Sequence, residues 1–419
     1  MIQLNPGNSQ GRIFAPKDSF SGFEHKVAYI SDQQYPIEKA DSEQVMNTVA
    51  ALGTSGMDIT LVIPRNWRSF GTLKLLRQQK LSDFYGVNND FKMKEMVSLP
   101  PTKLRLEKYS HCFVAPLWAK YSGCNIVYTR NPLPAFLSLS LGLKVIFETY
   151  RNYTNRNSAL GKLLVKKSHH PAFLGIITHS TLSKQSLVKL GIDEQKVAVI
   201  HNGFNPNLFS NHLTKQQARK LLHLPDEEKI ACYTGRLDKD KGIASIITLA
   251  EKTPEITFLF IGKTQKEPAD WISKTAMERG LRNVRCIAWM QSRELTRYLI
   301  AADVLLIPPT SAPLTKFGKT VLPLKLFQYL AAGRPILTPA LPDIMDILNE
   351  KNAMIIEPDN SEEAAVAIRT LFSNKILADE LAHAAKFTST SFTWQKRAQK
   401  IATFIQSRLG KEKECENVE

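Results

Sequence analysis

Residues 229–242 read K-I-A-C-Y-T-G-R-L-D-K-D-K-G. An apolar run without alternation ends at Gly235, Arg236 follows at once, and Lys241-Gly242 lead into the helical spacing of 243–251. A strand that is apolar on both faces belongs in a parallel sheet covered by helices on both sides. Gly235 lets the backbone turn tightly where the strand ends. Arg236 and Lys241 then set two positive charges near the N-terminus of the next helix, where unpaired N–H groups and the helix dipole already favour an anion. A diphosphate suits that arrangement; a solvated basic turn is the competing reading of the same spacing.

The alternation of short apolar runs and helical stretches extends in both directions. Upstream, strands are predicted over 25–31, 58–64, 125–130, 144–149, 175–180 and 197–202, with helices over 41–52, 132–140, 158–168 and 182–190. Downstream, strands are predicted over 256–262, 284–289, 304–308, 335–338 and 353–357, with helices over 243–251, 270–279, 293–301, 324–332 and 362–372. The rhythm breaks near 204–225, where N-G-F-N-P-N interrupts it. Two such series imply an α/β chain of two doubly wound, Rossmann-like domains facing a cleft, with ligands outside the carboxyl ends of the strands. The domains are expected at 1–205 and 206–390, and 419 residues suit two domains at about 150 each. The tail 411–419 reads as disordered.

Composition removes several classes of protein. Hydrophobic residues at 43% and charged residues at 22% exclude a disordered or fibrous chain. No stretch reaches the roughly 18 consecutive apolar residues of a membrane-spanning helix, and the polar N-terminus lacks the core of a signal peptide. The five cysteines are odd in number and never in C-x-x-C, against a disulfide framework or a zinc ribbon, so a reducing cytoplasm is expected. His169, His170 and His179 have no carboxylate or cysteine at metal-ligand spacing, and no metal is expected; His179 reads as a structural or cleft-lining group.

The net charge of +16 is regional: residues 65–196 hold 21 Lys and Arg against 7 Asp and Glu. Such a field attracts polyanions. Nucleic acid is disfavoured, because no helix-turn-helix, RNP-like aromatic motif or zinc site accompanies the charge. Arg65, Arg68, Lys74, Arg77 and Lys80 interleave with Trp67, Phe70, Leu73, Leu75, Leu76 and Leu81, and Lys162, Lys166 and Lys167 alternate with Leu163, Leu164 and Val165. Basic amphipathic segments of this kind suit an anionic membrane surface. The alternative is apolar packing in the core with lysines outside.

Residues 323–335 read P-L-K-L-F-Q-Y-L-A-A-G-R-P. Leu324, Phe327 and Ala331 fall at helical spacing, Gly333 fits the C-terminal cap and Pro335 stops the helix. Lys325 and Gln328 share a face, as an ordinary surface pair would. In order, T-G-R-L-x-x-x-K-G, I-G at 261–262 and this segment resemble the retaining, nucleotide-sugar-dependent glycosyltransferases of the GT-B fold, glycosyl transferases group 1. V-A-Y-I-S-D with K-A-D-S-E-Q-V-M is similar to that family's first strand and loop, and H-N-G-F-N-P-N-L-F at 201–209 to its interdomain crossing. Residues 391–410, around Trp394, resemble its C-terminal helix returning to the first domain.

The resemblance implies an enzyme that moves a sugar from a nucleotide-diphosphate sugar to a glycan or lipid-linked acceptor, in glycan or cell-envelope polysaccharide synthesis, with retention and without metal or other cofactor. It implies that Arg236 and Lys241 hold the donor diphosphate, with Gly235 and Gly262 beside it and Ser42 approaching from the first domain. Glycine is absent at 264, where the family's G-x-G continues. The family's paired glutamates fall at Thr320 and Gln328, leaving a hydroxyl, an amide and the N–H groups of Val321 and Leu322 to meet the donor. Tyr150 stands where the family often has histidine; it can donate to a sugar hydroxyl but is a poor base at neutral pH. A catalytically silent nucleotide-sugar-binding subunit is the alternative those departures leave open. The expected location is cytoplasmic, peripheral on the inner face of the membrane.

Overall fold

A computed structural model describes residues 24–65, 74–97, 106–151, 153, 158–210, 213–312 and 322–416. The apolar runs of the first half form β1 (Val27–Ile30), β2 (Ile59–Pro64), β3 (Lys92–Met96), β4 (Ile126–Thr129), β5 (Lys144–Thr149), β6 (Phe173–Thr178) and β7 (Val197–Val199). They pair in parallel in the order β3-β2-β1-β4-β5-β6-β7. The second half gives β8 (Ile230–Arg236), β9 (Thr257–Lys263), β10 (Val284–Ala288), β11 (Val304–Leu306), β12 (Ile336–Pro339) and β13 (Met354–Ile356), in the order β10-β9-β8-β11-β12-β13, again parallel. In each sheet the order reverses beside the first strand, at β1 and at β8, and crevices open at the carboxyl ends of such strands.

Of these strands, β3 is the one that apolar runs do not announce. Its sequence K-M-K-E-M alternates at the sheet edge, with Met93 buried and Lys92 exposed. An exposed edge with charged side chains resists pairing with another chain, so the lack of an apolar run has a physical reason.

Two crossings join the halves side by side. Phe204 N–H donates to the Phe392 carbonyl at 3.0 Å and Trp394 N–H to the Phe204 carbonyl at 3.2 Å. A methyl group on Gly203 would stand 2.6 Å from the Thr393 carbonyl carbon, which explains the glycine in N-G-F. The returning helix Trp394–Glu416 buries Trp394, Ala398, Ile401, Ala402, Ile405 and Leu409 in one core with β1, β2 and the helix Ala40–Thr54. Each large side chain so buried contributes roughly 1.5–3 kcal/mol. This helix runs to Glu416, so the tail expected to be disordered from 411 is helical as far as that residue. K-E-K-E-C-E is rich in helix formers and carries no proline to stop it.

Candidate active site

β8 reaches its carboxyl end as Thr234-Gly235-Arg236, with Gly235 in register with Gly262 on β9. A methyl group on Gly262 would lie 1.8 Å from the Gly235 carbonyl oxygen, so this approach requires glycine. A methyl group on Gly235 would meet Lys325 Nζ at 3.0 Å. The ammonium thus takes the space beside Gly235 that a side chain would fill, and it stands 3.5 Å from the centroid of the Tyr233 ring, a cation–π contact. Helix Lys325–Ala332 is fixed to the strand by Tyr329, whose buried hydroxyl accepts the Thr234 N–H at 2.9 Å.

Arg236 lies beside two carboxylates, with Nε 2.8 Å from Asp238 Oδ2 and Nη2 2.5 Å from Asp240 Oδ1. Asp238 is fully buried, and its Oδ1 accepts the backbone N–H groups of Gln265, Lys266 and Glu267 at 2.8, 2.9 and 3.4 Å. Burial opposes its charge, yet those donors and Arg236 outweigh burial and hold its pKa below the ordinary value. Asp240 also takes Lys266 Nζ at 2.7 Å; burial again works against ionisation, but Lys266 and Arg236 draw its pKa down to about 2.

Lys241 ends the turn Lys239–Lys241 in an exposed position, its pKa lowered by desolvation and then by Arg236. For Lys325 the depression is deeper, from burial first and Lys241 second. Gly242 follows with φ 75°, and the helix Ile243–Lys252 begins without a side-chain cap; Ser245 N–H donates to the Gly242 carbonyl at 3.1 Å, and the N–H groups of Ile243 and Ala244 have no acceptor among the described residues. Gln328, half-buried one turn beyond Lys325, has no side-chain hydrogen bond among the described residues. Leu322 is buried beside Leu326 and Phe327 in the second-domain core. Thr320 and Val321 lie outside the described residues, as do Trp67, Arg68, Phe70 and Leu73.

The first-domain candidates form a second group. Ser42 is buried, its hydroxyl donating to Gln33 Oε1, while Gln33 Nε2 donates to Asp41 at 2.5 Å. Tyr150, half-buried after β5, has the Arg130 guanidinium 5.1 Å from its ring centroid and the His179 ring at 6.2 Å. Beneath them lies Glu148. Its Oε1 accepts Gln44 Nε2 at 2.7 Å, His179 Nε2 at 2.6 Å and Arg397 Nη2 at 2.8 Å, and its Oε2 accepts the Tyr128 hydroxyl. Burial opposes the Glu148 charge, but Arg397, His179 and Arg130 hold its pKa well below the ordinary value. Burial takes His179 to about 4, so its imidazole is neutral at pH 7 and carries its proton on Nε2 toward Glu148. His179 is therefore part of a buried framework.

Lys263, the register partner of Arg236, joins the two groups by an ion pair with Glu38 of the first domain. Phe84 and Trp289 stack across the same cleft with centroids 6.4 Å apart, and Asp346 accepts the Thr181 N–H at 2.6 Å. Arg236, Lys241, Gly235, Gly262 and Gln328 thus gather on the second domain, and Ser42 and Tyr150 on the first. Lys325, read from sequence as half of a surface pair, turns toward β8; the signal was a lysine within an otherwise apolar helical start. Among the described residues no three His, Cys, Asp or Glu side chains gather as a metal site, and no helix is long and apolar enough to cross a membrane.

Two facing Rossmann-like sheets with a cationic crevice at the second define the GT-B architecture. The profile of glycosyl transferases group 1 matches residues 214–387, and that of glycosyltransferase family 4 matches residues 42–208. Residues 214–387 thus belong to the group 1 glycosyltransferases and residues 42–208 to glycosyltransferase family 4, so both halves of the chain are glycosyltransferase domains. The chain is 26% identical over 208 residues to an uncharacterised glycosyltransferase of Methanocaldococcus jannaschii, covering 48% of this chain and 51% of that protein. With the sulfoquinovosyl transferase of Arabidopsis thaliana it shares 21% over 245 residues, or 57% of this chain and 45% of that one. The chain thus spans about half the length of these curated relatives. Its fold is similar to that of Anabaena HepE in complex with UDP and glucose, with a TM-score of 0.71 and 15% identity over 91% of this chain and all of the other.

Proposed function

We propose that this chain transfers a glycosyl group from a nucleoside-diphosphate sugar to a glycan or lipid-linked acceptor with retention of configuration. The observation that carries the reading is the close approach of Gly235 and Gly262, which frames the cationic group of Arg236, Lys241 and Lys325 at the switch point of the second sheet. The presence of UDP and glucose in the structural relative supports a nucleotide sugar as donor. The diphosphate sits against Arg236 and Lys241 and the open N-terminus of helix Ile243–Lys252. Fixed cations there stabilise the charge that grows on the β-phosphate as the glycosidic C–O bond breaks, without the metal that a diphosphate otherwise recruits. The acceptor enters from the first domain, and closure through Glu38–Lys263 excludes water. Its oxygen attacks the anomeric carbon from the leaving-group side, and its proton passes to the departing phosphate.

The acceptor domain also offers an apolar stripe: Leu106, Tyr109, Phe113, Leu117 and Tyr121 are all exposed on helix Leu106–Tyr121, and Leu75 and Leu76 are exposed on helix Lys74–Tyr85. Of the basic residues nearby, Arg77 is committed to Glu95. The stripe supports peripheral attachment to a membrane surface and the regional excess of Lys and Arg an anionic leaflet, with binding to vesicles that rises with anionic lipid content; binding indifferent to that content removes it. The donor reading is tested by thermal shift with UDP, GDP and ADP, with and without magnesium, and by Arg236→Ala. A rise with one diphosphate without metal and loss of transfer in a folded variant are expected. No rise with any of them, or normal turnover in the variant, overturns the reading.

A further inference from the structure

The charges around the crevice do not balance where the motif suggests. Arg236 faces Asp238 and Asp240, and Lys266 adds a second cation on Asp240, so two positive side chains meet two negative ones. Lys239 pairs with Glu267 at 3.8 Å and Lys263 pairs with Glu38. Lys241 and Lys325 make no ion pair among the described residues. Lys241 stands near enough to weigh on Lys325, as its largest electrostatic influence after burial. The other groups facing Lys325 are neutral: burial pushes the Cys232 thiol up to about 12 and the Tyr233 phenol stays protonated. An ammonium against the face of Tyr233 and the bare backbone of Gly235 is a charge without a counterion among the described residues.

Building on the donor reading above, we propose that Lys325 is a donor-binding residue, and that Lys241 and Lys325 together supply the two net positive charges that match the two negative charges of a nucleoside-diphosphate sugar. Arg236 then contributes direction rather than net charge: its two aspartates hold the guanidinium in place and fix the loop at 265–267. Gly262 is required to let β8 and β9 approach, and Gly235 to leave room for the Lys325 ammonium. A residue that serves a ligand in this way costs stability in its absence, because two ammonium groups crowd one another over a partly desolvated surface.

The test uses the full chain, Lys325→Met, and titration calorimetry with UDP and UMP beside unliganded melting curves, with GDP/GMP or ADP/AMP in their place if those bind instead. Lys325→Met should weaken the diphosphate about tenfold or more, as expected for a charge-assisted contact, change the monophosphate by less than about threefold, and melt at or above the wild-type temperature. Lys325→Arg should recover part of the diphosphate affinity. Wild-type affinity for the diphosphate in Lys325→Met overturns this inference alone. So does a fall in melting temperature with equal losses for both nucleotides, which marks a structural lysine. A wild-type chain that binds none of UDP, GDP and ADP overturns the donor reading and this inference with it.

Discussion

Replacing Arg397 by methionine should unlock the first domain from its C-terminal helix. The guanidinium is 2% exposed. It donates to Glu148 at 2.8 Å, to the Ile200 carbonyl at 2.5 Å, to the His201 carbonyl at 2.9 Å and to Thr48 Oγ1 at 3.2 Å. Methionine keeps most of the volume but leaves Glu148 ionised, fully buried and without its largest compensating charge. Removing one partner of a buried ion pair costs about 3–5 kcal/mol. For a domain of this size that lowers the melting temperature by about 6–20 °C, at roughly 2–4 °C per kcal/mol. Arg397 also depresses the His179 pKa, so its loss lets His179 accept a proton more readily and compensate Glu148 in acid. The deficit should therefore be larger at pH 8 than at pH 5.5. Calorimetric melting of wild type, Arg397→Met, Glu148→Gln and the double variant closes the cycle, and the double variant should lose at least 2 kcal/mol less than the sum of the single ones. Additivity within about 0.5 kcal/mol, or a melting point within 2 °C of wild type for Arg397→Met, refutes the buried-hub argument.

Gly262→Ala places a methyl group 1.8 Å from the Gly235 carbonyl oxygen and must part the ends of β8 and β9. It should cost about 3 kcal/mol or more by urea unfolding and abolish nucleotide binding by calorimetry. Gly280→Ala, at φ 69° with open space around it, should cost only about 1 kcal/mol and leave binding intact. His111 is fully buried without a well-formed hydrogen bond at either ring nitrogen, and burial lowers its pKa from 6.5 to about 4. Its stabilising neutral form is complete above pH 6.5 and lost as pH falls through 4, so His111→Leu should flatten the decline in melting temperature between those values. Glu38→Gln breaks a part-exposed pair with Lys263, so melting should shift by less than about 1 kcal/mol while small-angle scattering shows a larger unliganded radius of gyration.

What could be read from sequence follows the strength of each physical signal. Strands buried on both faces announce themselves as unbroken apolar runs, and K-I-A-C-Y-T-G at the start of the second sheet became β8 in register with β9 and β11. β3 alternates on an exposed edge, and its only apolar anchors are Met93 and Met96. Helix Leu106–Tyr121 carries Pro116 within it and much of its apolar surface faces outward, so neither its periodicity nor its composition marks it as a core helix. The crossing at 201–209 was legible because a glycine and turn residues cluster there, but its pairing with Thr393 joins residues too far apart in sequence for any local pattern to show.

The place of the candidate residues at a strand end was legible, and their charge balance was not. Arg236 and Lys241 stand out because a strand end, a glycine and two cations fall within a few residues. Whether a cation is free depends on partners elsewhere in the chain. Asp238 and Asp240 follow Arg236 in the same loop, and a basic motif rich in aspartate can read equally as a cationic patch or as a set of internal pairs. Geometry decides for the pairs: both aspartates turn back on Arg236, and one is anchored by three N–H groups from 265–267. Lys325 runs the other way, since its only polar neighbour at helical spacing is Gln328 and nothing local says that the side chain leaves the solvent. Its approach to β8 depends on Gly235 lacking a side chain and on Tyr329 holding the helix against Thr234. The net charge of this crevice is thus a tertiary property, set by which basic residues the fold leaves unpaired.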